Sequence, residues 1–215
     1  MDVLIDIQCL KDAKNKTVPK EVAILSLNGD YCAHWIVAPS AAIESFNQEI
    51  RQQNNWLTKH HHGLDYFEGE VSQRSIYKIL KELLKKVGRV FVRGKEKWSI
   101  VHKLTAREVI NLEYDKDCPS FNNLPWSDAY CLQHSVKVLH MHFSCALNNV
   151  HRLKVWLQAQ EKYNKIASPS IHPQELCDEY PRDIEEIVTY TLPFCGGLSS
   201  RSDPQGVDET DGIYS

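Results

Sequence analysis

An α/β fold with a mixed five-stranded sheet and flanking helices is what the sequence predicts, and three observations carry that expectation. Three β-rich runs come first, at residues 3–7, 21–27 and 31–37. An apolar stripe at helical spacing follows, formed by Ile76, Ile79, Leu80, Leu83, Leu84 and Val87. Two short strand-like runs, 89–93 and 109–112, then alternate with helical patterns, the last of which contains Ala146, Leu147, Val150, Leu153 and Leu157.

Each element has a local reason. Residues 11–18 are polar and separate the first two runs, and Asn28-Gly29-Asp30 is a strong hairpin signal, so the first three strands read as an antiparallel meander. Pro39-Ser40 ends the third. Residues 41–57 turn helical, and Lys59 to Gly63 reads as a polar loop with His60, His61 and His62 facing water. Gly88 ends the amphipathic helix, and Gly94 opens a short helix through Trp98, Val101 and Leu104. Residues 1–165 are therefore assigned to one domain. Residues 166–195 read as a linker followed by an acidic helix, and the Gly-, Ser- and Asp-rich stretch 196–215 as a disordered tail.

Composition bounds the class. The chain has 215 residues, 42% hydrophobic and 25% charged, enough for one sizeable core. A net charge of −3 points to no partner by itself. No basic region precedes the first apolar run, and no apolar run approaches the roughly 18–20 residues that span a bilayer. Seven irregularly spaced cysteines in such a chain predict reduced thiols in the cytoplasm or nucleus rather than a disulfide framework.

The chemistry-bearing residues concentrate late. Cys131 and His134 have the C-x-x-H spacing that lets two side chains of one turn meet at one ion, and Cys145 stands at the start of the last helix. A turn with two ligands closed by a third at a helix start predicts a structural zinc site. The fourth ligand is open at this point among Cys118, His140 and His142. A zinc held by four protein ligands stabilises a fold and leaves no position for catalysis.

A basic run extends from Arg74 to Arg107, with eleven Lys or Arg residues opposed only by Glu82 and Glu96. Lys78, Lys81 and Lys85 share the helix face opposite the apolar stripe, and Arg93, Lys95 and Lys97 follow at the next strand's end. Such a row can follow phosphates, so single-stranded RNA is the expected partner. Trp98, Trp126 and Trp156 are candidates for base stacking, although such tryptophans more often belong to a core. The acidic segment after Pro173 offers a surface for protein partners or for this basic patch in cis. Asp6 is an acid inside the first strand. Burial there demands hydrogen bonds, a partner such as Lys97, or a metal.

Two resemblances meet on these residues. The order of three strands followed by helix, strand, helix, strand and helix resembles a ribonuclease-H-like domain, and within it the DEDD-type exonucleases. Those hold two divalent metals with four acids. Here Asp6 matches the first acid. Gln8 stands at the second, Lys97 at the third, and Ser144 and Asn149 at the His and Asp positions of the last helix. That pattern implies a lost metal-dependent active site. The second resemblance is to the Maelstrom-domain family, a branch of the germline small-RNA pathway. It rests on Pro19-Lys20-Glu21-Val22, Ser26-Leu27-Asn28-Gly29, the Cys131/His134 pair and Cys145-Ala146-Leu147. It implies a Glu-Cys-His-Cys zinc site made by Glu21, Cys131, His134 and Cys145. The function so implied is a catalytically degenerate, RNA-binding or scaffolding module. The alternatives are a metal-independent ribonuclease, using Lys97, His102 or His151 as acid/base groups, and a pure protein-interaction module.

Overall fold

The structure, a computed structural model, describes residues 1–115, 117–135 and 143–160. The linker, acidic helix and tail expected after residue 165 lie outside the described residues.

The chain is α/β. A mixed sheet has the order β4-β3-β2-β1-β5-β6, with helices on both faces. β1 (Val3–Lys11), β2 (Thr17–Ser26) and β3 (Cys32–Ala38) form the antiparallel meander; β5 (Val90–Val92) pairs parallel with β1, and β6 (Val109–Asn111) parallel with β5. The sheet has six strands, not the expected five. The addition is β4 (Val71–Ser72), which pairs with Val37 and Ala38 at the edge of β3. Two residues carry no period-2 signal, so the sequence pattern could not announce it.

The first hairpin is tighter and longer-armed than its polar composition suggests. Its turn is only residues 12–16: Asp12 Oδ1 accepts from the N–H groups of Lys14 (2.9 Å) and Lys16 (2.8 Å). An aspartate that satisfies turn amides lets both strands run up to it. The second hairpin closes with Ser26 N–H donating to the Tyr31 carbonyl at 2.9 Å. Asn47 caps α1 (Gln48–Leu57) by accepting from Ile50 N–H, and Ser72 caps α2 (Gln73–Lys85) by accepting from Ser75 N–H.

Strand alternation sorts the core into two layers. Val3, Ile5, Ile7, Val22, Ile24, Trp35 and Val37 face α2, whose Ile76, Ile79, Leu80, Leu83 and Leu84 are all buried. α3 (Lys95–His102) adds Trp98 and Val101 to this layer. On the other face Leu4, Ala23, Leu25, Cys32 and Phe91 meet α5 (Ala146–Gln158) through Ala146, Leu147, Val150 and Leu153. Asp6 and Gln8 share the parity of Leu4, and Glu21 that of Ala23. All three therefore look toward α5, with Gln8 paired directly across from Glu21.

The register slips between Gln8 and Cys9, which makes Lys20 the extra residue of a β-bulge. Its side chain is fully buried, and its ammonium donates to the carbonyls of Tyr66 (3.0 Å), Val37 (3.4 Å) and Glu68. This lysine ties the sheet to the loop before β4. It is a structural cation that composition alone does not reveal.

Candidate metal centre and the adjoining carboxylate cleft

Glu21 comes from β2, Cys131 and His134 from the start of the one-turn α4 (Leu132–Ser135), and Cys145 from the residue before α5. One candidate ligand atom from each lies within 4.8 Å of all the others, so this group could hold a metal ion. A tetrahedral ion with bonds of about 2.0–2.3 Å needs ligand separations of about 3.3–3.8 Å, which the cluster reaches by contracting less than about 1.5 Å.

The surroundings orient each ligand. His134 Nε2 lies 2.7 Å from the His62 carbonyl, which accepts its proton and so leaves Nδ1 with its lone pair toward Cys131 Sγ (3.2 Å). A metal-binding imidazole is usually held through its other nitrogen in this way. Glu21 Oε2 accepts from Ala146 N–H (2.9 Å) at the start of α5. Glu21 Oε1 accepts from His34 Nε2 (2.7 Å) and lies 3.4 Å from Cys145 Sγ. Burial alone would raise the Glu21 pKa, but the His34 hydrogen bond and the charges of His34 and His134 bring it below the ordinary value. The neighbouring Cys145 thiol, more than any other influence, holds Cys131 at about 4, while the same contact pushes Cys145 well up. One carboxylate, one imidazole and two cysteine sulfurs form a donor set suited to a divalent ion.

The His60–His62 segment departs from its expected form. Thr58–His62 is a single π-helical turn, and Gly63, with φ of 69°, ends it. His60 and His61 are exposed, but His62 is fully buried. Its Nδ1 accepts from Leu64 N–H at 3.1 Å, and its Nε2 is buried among the described residues without a hydrogen bond. Burial drives its pKa down to about 3, so it is a neutral spacer behind His134 rather than a solvated imidazole. A Cβ at Gly63 would stand 2.3 Å from the Phe143 ring, so the turn fits only with glycine there.

Beside this cluster lies a second polar centre. Asp6 has no exposed surface. Its Oδ2 accepts from Gln8 Nε2 (3.0 Å) and Asn149 Nδ2 (2.9 Å), and Lys97 Nζ bonds Oδ1. Asn149 Nδ2 also reaches Ser144 Oγ at 3.3 Å. Gln8, Lys97 and Asn149 thus converge on the Asp6 carboxylate, with Ser144 one hydrogen bond further out. Burial still raises the Asp6 pKa, against the pull of Lys97 and Asn149. Lys97 borders a cleft of about 410 Å³ whose lining also includes Gln8, Cys9, His61, Lys95, Glu96 and Glu113. His61, its pKa lowered by burial and then by Lys97, is the histidine in this wall. His102 stacks instead on Trp98 at 4.5 Å, and His151 lies 3.9 Å from Cys32.

The six cations chosen from sequence fall into two groups. Lys78, Lys81 and Lys85 project from the outer face of α2, on the sheet face opposite Asp6, and Lys85 is bound to Glu82 at 2.8 Å. Arg93 and Lys97 converge on the Phe121 ring, at 5.1 and 4.7 Å from its centre, and Lys95 is exposed at the cleft. Of the three tryptophans, Trp156 is buried and Trp98 donates to the Val109 carbonyl, leaving Trp126 exposed. Among the alternative fourth ligands, Cys118 is buried away from the cluster, and His140 and His142 lie outside the described residues. Sequence reasoning missed His34, which shares the sheet face of Cys32 and sits diagonally from Glu21, a relation that strand alternation contains.

No protein-family model matches this chain, and no curated protein aligns with it at a significant level. Among the described residues, no helix is long and apolar enough to cross a membrane.

Proposed function

We propose that the chain is a zinc-centred, ribonuclease-H-like domain of exonuclease type that has exchanged its catalytic metals for a lysine. It acts as an RNA-binding or scaffolding module, as the Maelstrom resemblance implies for small-RNA silencing. One observation carries this reading: both oxygens of Asp6 are already occupied, one by the Lys97 ammonium and the other by two amide donors. Two Mg²⁺ ions need several carboxylates around nearly octahedral positions. Here Asp6 is surrounded by Gln8, Asn149 and Lys97 rather than by further carboxylates, and its counter-cation belongs to the chain. Zinc supplies the closing charge for Glu21, Cys131, His134 and Cys145, joining β2, α4 and the start of α5. Lys78 and Lys81 on one face and Lys95 on the other supply phosphate contacts.

The test combines metal content with RNA trimming. The expected result is one zinc per wild-type chain, lost in Cys131→Ser, and no Mg²⁺-dependent shortening of labelled single-stranded RNA. Mg²⁺-dependent trimming that disappears in Asp6→Asn would overturn the reading.

The cleft favours one second reading, a metal-independent ribonuclease. His61 in the wall of this cleft would take a proton from a ribose hydroxyl, with the exposed Lys95 beside it to meet the phosphate. Cleavage that persists in EDTA and is lost in His61→Ala distinguishes it.

A further inference from the structure

The segment 125–132 alternates along its length. Trp126, Asp128, Tyr130 and Leu132 are exposed, whereas Pro125, Ser127 and Ala129 are half-buried and Cys131 is buried in the metal cluster. Such alternation is that of an extended chain, which places the outward side chains on one face about 7 Å apart. A fully extended chain from Trp126 to Tyr130 would set these two side chains about 13 Å apart, with Asp128 between them. Trp126 is 78% exposed and Tyr130 55%.

The segment is fastened from below. Arg152 of α5 donates from Nε to the Pro125 carbonyl (2.8 Å) and from Nη2 to the Leu124 carbonyl (2.6 Å). Asn148 reaches the Ala129 carbonyl at 3.4 Å. An anchored backbone that displays large rings to water loses little freedom when a partner covers them. Trp and Tyr are also the side chains that most often dominate an interface.

We infer that this face docks an extended, arginine-rich peptide segment of a protein partner. The charge decides between peptide and nucleic acid. Between Lys116 and Lys137 the chain carries two acids, Asp117 and Asp128, and neither Lys nor Arg. Arg152, which lies beneath the segment, is turned to backbone carbonyls. A nucleic acid stacked on Trp126 would hold its phosphates beside Asp128 with no counter-charge from the segment. An extended peptide places alternate side chains at the same spacing of about 7 Å. Arginines at alternate positions would then meet ring, carboxylate and ring in turn, through cation–π contacts at Trp126 and Tyr130 and an ion pair at Asp128.

The inference is independent of zinc and of RNA binding elsewhere on the molecule. It is tested by fluorescence anisotropy on the full chain at 150 mM NaCl, with labelled (Arg-Ala)5, (Asp-Ala)5 and the oligonucleotide U10. Acidic residues elsewhere also attract a cationic peptide, so the variants carry the test. Trp126→Ala and Asp128→Lys change exposed side chains, and circular dichroism checks that both remain folded. The expected result is binding of (Arg-Ala)5 alone to this face, weakened about 10-fold by each variant, a change of about 1.4 kcal/mol. Peptide affinity unchanged by both variants, or no peptide binding, overturns the inference. U10 binding weakened by Trp126→Ala and strengthened by Asp128→Lys also overturns it, and assigns the face to RNA.

Discussion

Replacing Lys97 by methionine keeps most of the side-chain volume and removes the ammonium bonded to Asp6. The carboxylate has no exposed surface, and the Lys97 side chain is 17% exposed. Removing one partner of a buried pair typically destabilises by about 3–5 kcal/mol, because the remaining charge stays desolvated. The partial exposure of Lys97 places this case near about 3 kcal/mol. That is a large part of a typical total of about 5–15 kcal/mol, and for a domain of this size it lowers Tm by roughly 6–12 °C. The pH dependence has a definite sign. Burial already raises the Asp6 pKa above the ordinary carboxylate range despite Lys97, and loss of the cation raises it further. The folded state then holds a proton that the unfolded state releases. Stability is highest below the unfolded pKa and declines as pH rises through the folded one. The deficit of Lys97→Met should therefore shrink between pH 7.5 and pH 5.5. Urea unfolding of wild type, Lys97→Met, Asp6→Asn and the double variant, followed by tryptophan fluorescence at both pH values, measures this. The double variant should recover about 2 kcal/mol relative to Lys97→Met. Additive costs, or a single variant as stable as wild type at pH 7.5, would refute the assignment of Lys97 as the counter-charge.

Two further perturbations probe the metal centre. Gly63→Ala places a methyl group at φ of 69° and 2.3 Å from Phe143. The backbone and packing penalties together predict a loss of about 3 kcal/mol in chemical denaturation, together with weaker metal binding because the His62 carbonyl that orients His134 moves with the turn. His34→Ala removes the hydrogen bond to Glu21 Oε1 and should lower zinc affinity about 10- to 100-fold in chelator competition, with far-UV circular dichroism unchanged. Undiminished affinity would mean that Ala146 N–H alone fixes the glutamate.

How much of this was legible in the sequence depended on the kind of signal. The apolar faces of α2 and α5 were readable because 3.6-residue periodicity over 13 residues leaves few alternatives. Cys131, His134 and Cys145 were readable because short spacing and helix position constrain their geometry. Glu21 carried no such signal of its own, since a strand glutamate is ordinarily a solvated edge residue. Only the resemblance singled it out, and the geometry brings it into the cluster. Burial of Lys20 and His62 was not legible, because both depend on where distant loops close: Lys20 bonds carbonyls at residues 66 and 68, and His62 lies behind residue 134. The row of lysines was read correctly as one face of a helix. That this face and the Lys97 cleft lie on opposite sides of the sheet follows from the sheet's layering, which linear spacing does not contain.

The two buried carboxylates of the α5 face explain each other's surroundings. Asp6 and Glu21 are separated by one cross-strand pair, Gln8 with Glu21, and each raises the other's cost of ionisation. Two desolvated negative charges at this separation require two separate counter-charges. The chain supplies one as the Lys97 ammonium, fixed to the first turn of α3, and surrounds the other with His34, His134 and two thiols. A tethered ammonium cannot be withdrawn by a chelator, whereas a bound ion can. Stability at the centre of the sheet therefore rests on the chain's own cation, and an ion held by Glu21, Cys131, His134 and Cys145 would act only at the junction of β2, α4 and α5. This arrangement accounts physically for how the first strand of the sheet keeps a fully buried aspartate.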